Sequence, residues 1–112
     1  MKKIEGDFEF LCQYKEIREN TGYRFFVKDT DIALFKVKGK FYALSNVCPH
    51  QHAAIIYDGF LEDGKIVCPA HGWSFDLETG NLEGGGRGLE SFELKILGGN
   101  IYIKIDEKPD LF

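Results

Sequence analysis

The chain has 112 residues, 44% of them hydrophobic, with 14 basic and 18 acidic side chains and a formal net charge of −4 at pH 7. A chain this short buries about 60 to 70% of the surface its unfolded form exposes, so one compact domain over residues 1–112 is expected and an active site needing two lobes is excluded. Ten Phe and five Tyr argue against disorder. The acidic balance makes nucleic acid a poor partner, yet it can steer a basic protein toward the chain.

Met1, Lys2 and Lys3 could open an export signal, but Glu5 and Asp7 interrupt the place where an apolar stretch should follow. Alternation with period two then recurs to the end, which predicts an all-β, antiparallel protein. Phe8, Phe10, Cys12 and Tyr14 fall on one face of a first strand, and residues 15–20 allow a single helical turn closed by Gly22. A strand over 23–28 leads into a hairpin of 32–37 and 41–44, reversed at Lys38, Gly39 and Lys40. Glu62, Asp63 and Gly64 make another reversal. The last pair sets Phe92, Leu94 and Ile96 against Ile101, Ile103 and Ile105 across a Gly98-Gly99-Asn100 turn. Gly84, Gly85 and Gly86 mark a mobile loop and lack the spacing of a nucleotide-binding turn.

The longest apolar run, residues 53–57, is far short of the roughly 20 residues of a membrane span, so a soluble, cytoplasmic protein is expected. In a reducing compartment three cysteines are metal ligands or core residues more often than disulfides. Cys12, on an apolar face, reads as core. Two segments break the strand pattern: Cys48-Pro49-His50 and, seventeen residues on, Cys68-Pro69-Ala70-His71. Together they supply two thiolates and two imidazoles, a set suited to zinc or to iron and sulfide. Small zinc modules usually pair Cys with Cys and His with His. Here each segment mixes the two, so facing segments can put both cysteines on one metal and both histidines on another, a division that suits a two-iron cluster.

This arrangement resembles the Rieske family of 2Fe-2S proteins. The likeness is strongest over residues 46–80, where His71-Gly72-Trp73-Ser74-Phe75-Asp76 and Thr79-Gly80 also match, and the strand order fits nearly the whole chain. The resemblance implies a Rieske-like antiparallel β-sandwich carrying a cluster-binding subdomain of two loops, at about residues 46–76. Cys48 and Cys68 would hold a buried iron, and His50 and His71 an outer iron through Nδ1. Two ferric ions and two sulfides carry +2; four thiolates bring this to −2, whereas two thiolates and two neutral imidazoles leave zero, which raises the potential to about −150 to +300 mV. High-potential members carry Ser two residues after the second His and Tyr four after it, and a disulfide beside the ligands. Trp73, Phe75, Ala53 and Ala70 occupy those positions here, which implies a low-potential centre. Oxidised iron should also acidify the outer imidazoles, so the potential falls at alkaline pH. His52 stands where the family usually has Gly and reads as a solvated loop histidine at a place whose backbone angles favour glycine. The glycines of 84–88 replace a proline-containing loop and would cover one side of the cluster loosely.

Residues 41–57 and 66–75 contain no Asp, Glu, Lys or Arg. That gives an uncharged tip able to dock a partner, or to keep water from the cluster. After two histidines are spent on the cluster only His52 remains, too few for an oxygenase's second iron site. The expected role is therefore a non-enzymatic electron carrier, monomeric when isolated, that passes single electrons from a reductase to a terminal oxygenase or similar enzyme. The alternative is a small subunit of a multi-component reductase such as nitrite reductase.

Overall fold

The computed structural model describes residues 8–49, 52–70 and 72–105. Among the described residues, nine strands form two antiparallel sheets. The larger contains β1 (Phe8–Gln13), β2 (Gly22–Val27), β3 (Thr30–Val37), β4 (Lys40–Ser45), β8 (Ser91–Leu97) and β9 (Asn100–Lys104), in the order β1-β9-β8-β4-β3-β2. The smaller is β5 (Phe60–Glu62), β6 (Lys65–Val67) and β7 (Ser74–Asp76). The charge pattern at Met1–Asp7 lies outside the described residues.

Four hairpins turn on two residues with positive φ: Lys28-Asp29, Lys38-Gly39, Asp63-Gly64 and Gly98-Gly99. This is the turn whose twist matches that of the strands it joins. The three glycine-bearing turns are the reversals the sequence predicts. The Lys28-Asp29 turn differs, because two ordinary residues adopt the left-handed conformation and β3 begins at Thr30.

β3 explains how the two sheets share a core. Ile32, Ala33, Leu34 and Phe35 are all buried, with no inside-outside alternation. Ala33 and Phe35 pack with Leu44, Ile66 and Phe75 between the sheets, while Ile32 and Leu34 pack with Leu11, Ile101 and Ile103 inside the curl of the larger sheet. A strand covered on both faces reads as a continuous apolar run.

The first strand departs from its predicted face. A register shift between Phe10 and Cys12 turns both Leu11 and Cys12 inward and leaves Phe10 56% exposed against the ring of Tyr102. The extra residue of a β-bulge inverts the alternation beyond it, so Phe8, Phe10, Cys12 and Tyr14 do not share one face. The predicted helical turn shortens to a 3-10 turn at Tyr14–Glu16, and another, Ile56–Asp58, follows the first cysteine loop.

Candidate metal centre

Two loops of the same build carry the cysteine pair. One leaves β4 after Ser45 and the other joins β6 to β7. In each, the cysteine N–H donates to the carbonyl five residues on: Cys48 to Ala53 at 2.9 Å and Cys68 to Trp73 at 2.8 Å. Each cysteine carbonyl accepts from the N–H four residues on, His52 at 2.6 Å and Gly72 at 2.9 Å. That fourth residue is left-handed in both loops, with φ of 57° at His52 and 73° at Gly72. The reversal is what brings the chain back under its own cysteine, and it explains the glycine at position 72. His52 adopts the same conformation with its side chain exposed, as a solvated loop histidine should. Histidine is among the residues enriched there.

The loops deliver both thiols to one spot. Cys48 and Cys68 are 0% and 1% exposed, their sulfurs lie 3.7 Å apart, and neither is in a disulfide. A disulfide needs about 2.05 Å. Two thiolates on one tetrahedral ion about 2.3 Å from each stand about 3.8 Å apart. The pair therefore fits a single thiolate-bound iron or zinc, among Leu44, Ile56, Ile66 and Phe75. So apolar a setting favours a donor set that leaves the oxidised centre uncharged, because burying net charge is costly. His50 and His71 lie outside the described residues, and among the described residues no group of three or more candidate metal ligands occurs.

Cys12 belongs to the other core, and burial, with Glu16 adding to it, pushes its thiol up to about 11. It is packing, as the sequence suggests.

A polar post stands at the base of the first loop. Asn46, fully buried, has every polar group engaged. Its N–H donates to the Asp31 carbonyl (2.9 Å) and its carbonyl accepts from Ile56 N–H (3.1 Å). Its Nδ2 donates to Asp31 Oδ1 (2.9 Å), and its Oδ1 accepts from Tyr57 N–H (2.7 Å). Asp31 also takes a bidentate bond from Arg24, through Nε at 3.0 Å and Nη2 at 2.8 Å. The Arg24 guanidinium holds the Asp31 carboxyl below the usual carboxylate range, against its desolvation and with help from Asn46. No sequence pattern pointed to this network.

Beyond the second loop, Asp76 accepts from Thr79 N–H (3.0 Å) and Glu78 N–H (2.8 Å), and the Thr79 bond chiefly keeps its carboxyl low. Gly80 follows at φ 81°, so close to the chain that a Cβ there would meet the Leu89 carbonyl oxygen at 2.1 Å. An open cleft of about 530 Å³ separates the first loop, at Val47, Pro49 and His52, from Asn81 and residues 87–90. The glycines 84–86 do not line it. Of the 84–88 stretch, Arg87 and Gly88 line this cleft beside the first loop. The two loops carry no Asp, Glu, Lys or Arg and are partly apolar, with Val47 38% and Trp73 37% exposed beside exposed Pro69 and Ala70, while Arg87 and Glu90 line the cleft beside the first loop.

Comparison with known proteins agrees with this geometry. The family model described as the Rieske [2Fe-2S] domain matches residues 7–92. The chain is 31% identical over 108 residues to the alkene monooxygenase system ferredoxin component of Xanthobacter autotrophicus, covering 94% of this chain and 88% of that one. A structure titled as the complex of reduced oxygenase and oxidized ferredoxin in carbazole 1,9a-dioxygenase matches at a TM-score of 0.79 and 26% identity, over 93% of this chain and 98% of that one. A nitrite reductase small subunit structure from Mycobacterium tuberculosis matches at 0.82 and 20% identity, over 89% and 96%, a likeness of fold alone. With two buried thiols placed as one metal demands, the chain belongs to the Rieske [2Fe-2S] domain family, and its cofactor is a 2Fe-2S cluster.

Proposed function

We propose that this chain is a Rieske-type ferredoxin, taking one electron at a time from a reductase and delivering it to a terminal oxygenase, with no reaction of its own. The reading rests on the two buried thiols 3.7 Å apart at the heads of matching loops. Likeness over nearly full length to the ferredoxin component of an alkene monooxygenase system supports it. The nitrite reductase alternative is supported less well, by a small-subunit structure alike in fold and by a sequence match to a nitrite reductase that spans 44% of this chain and 5% of that one.

In this proposal Cys48 and Cys68 hold one iron, and His50 and His71 complete the set on the other. The bound cluster supplies a one-electron couple, raised relative to a four-thiolate cluster because two ligands are neutral. The chain's own residues do the rest. The core around the cysteines excludes water from the sulfur side. Cys48 and Cys68 direct their N–H groups back to loop carbonyls, and the left-handed residues keep each loop closed. The uncharged tip around Val47 and Trp73 is the docking face, surrounded by the net negative charge of the rest of the chain. Long-range steering toward a partner fades with salt as the screening length falls to about 8 Å at physiological ionic strength.

The whole chain works as one Rieske unit, a cytoplasmic protein monomeric when isolated and requiring no membrane. Among the described residues, no helix is long and apolar enough to cross one. The test is anaerobic purification followed by metal and sulfide analysis, then single-turnover mixing with a flavoprotein reductase and with a Rieske-type oxygenase. Two irons, two sulfides and electron transfer in both steps are expected. A colourless protein with one zinc per chain ends the proposal. A chain that elutes only within a larger complex favours the permanent subunit.

A further inference from the structure

The first cysteine loop is held from behind by a relay that begins at the surface. Arg24, with half of its side chain exposed, grips both carboxylate oxygens of Asp31, whose own side chain is 12% exposed. Asp31 passes the grip to Asn46 through Oδ1 and through its backbone carbonyl. Asn46 then closes the loop: its backbone carbonyl and Oδ1 receive the N–H groups of Ile56 and Tyr57, where the loop ends, while its own position starts the loop two residues before Cys48.

A loop so closed moves as a unit when Asn46 shifts relative to β3. Its inner bonds, Cys48 to Ala53 and His52 to Cys48, tie the loop to itself and not to the sheet. Ser45, just before the loop, is bonded to Glu90 through its N–H and its Oγ; within 46–57 the described bonds to the sheet run from Asn46 to Asp31, whose carboxylate direction the bidentate Arg24 fixes. Bidentate guanidinium bonds fix both distance and plane. A buried amide with all its partners in place has few alternative positions, because any displacement leaves a buried polar group unpaired.

We infer that Arg24 is a positioning residue for the cluster, acting through Asp31 and Asn46 to set where Cys48 stands opposite Cys68. The inference rests on Cys48 being an iron ligand as proposed above, and it adds a residue far from the tip to the set that determines how the cluster is held. Arg24 touches neither thiol. Its effect arises because the separation of the two sulfurs depends on two loops anchored independently, one on Asn46 and the other between β6 and β7.

The test compares Arg24→Met, which keeps the apolar stem, with Arg24→Lys and with Lys28→Met. The last breaks a surface ion pair, Lys28 with Glu9 at 3.4 Å, that takes no part in the relay. Hydrogen exchange of the purified protein is read by mass spectrometry on peptides spanning 43–57 and 91–105, beside the EPR spectrum of the reduced cluster. Arg24→Met should speed exchange about fivefold over 46–57, the effect of losing one modest hydrogen-bonded contact, and leave 91–105 unchanged. It should also shift the EPR g values. Arg24→Lys should recover part of both effects, and Lys28→Met should change neither. Unchanged exchange over 46–57, equal acceleration of both peptides, or a wild-type EPR spectrum in Arg24→Met would each overturn the inference. The exchange measurement does not depend on which metal is bound, whereas the iron and sulfide content of the wild type reports separately on the ferredoxin reading.

Discussion

Substituting the fourth residue of each cysteine loop tests whether the loops are built alike. The left-handed conformation costs an ordinary L-residue about 1–2 kcal/mol. At Gly72 a new Cβ meets no atom within 4 Å, so Gly72→Ala adds no clash to that cost. Alanine returns about 0.4–1 kcal/mol by restricting the unfolded chain, which leaves a net loss of about 1 kcal/mol, or about 4 °C in thermal midpoint at this chain length. At His52 the cost is already present in the native protein, so His52→Gly exchanges relief of strain against unfolded-chain entropy and should fall within about 0.5 kcal/mol of wild type. His52→Val places a β-branched residue at φ 57° and should cost about 2 kcal/mol. The assay is thermal unfolding of the cluster-loaded protein at one scan rate, followed by far-UV circular dichroism. A Gly72→Ala protein more stable than wild type, or a His52→Val protein equal to it, would refute the common left-handed turn.

Other outcomes follow from the same structure. Phe75 is fully buried between the sheets, so Phe75→Ala should cost about 3–5 kcal/mol and lower cluster occupancy, read as iron per chain after purification. Wild-type occupancy and melting would show that the second loop does not depend on this packing. The Asp31 pKa is depressed in the folded state, so its contribution is complete above the ordinary carboxylate value of about 4 and is lost as pH falls through the lower folded value. Asp31→Asn should therefore lower stability at pH 7 yet flatten its decline below about pH 4, and parallel acid-unfolding curves for the two proteins would contradict this. Cys12, with its thiol raised to about 11, should stay protonated and unlabelled by a thiol reagent at pH 8 while the protein is folded. Rapid labelling at Cys12 in native protein would count against its burial.

Where local chemistry decides the structure, it was legible in the residues. The Lys38-Gly39, Asp63-Gly64 and Gly98-Gly99 turns are reversals that glycine makes easy, and all three occur. The Cys48 and Cys68 segments stand out because they interrupt strand alternation with metal-binding side chains, and the fold brings their sulfurs together. What sequence pattern could not supply depends on distant contacts. The bulge beyond Phe10 arises from pairing with β9 and reverses the expected face of the first strand. The Arg24-Asp31-Asn46 relay joins residues on different strands and a loop, each ordinary in its own neighbourhood. His52 shows an intermediate case. Its position suggested glycine-like backbone angles, and only the matching bonds of the two loops reveal that histidine adopts them.

At the centre of the proposed role is a two-iron cluster held on two thiolates and two imidazoles. Quantitative iron and sulfide analysis of anaerobically purified protein, with pulsed EPR of its reduced state, decides whether that donor set is present. Two irons and two sulfides per chain with nitrogen coupling from two histidines are predicted. One zinc per chain, or a cluster without nitrogen coupling, would contradict that donor set, since the three cysteines of one chain cannot supply four thiolates.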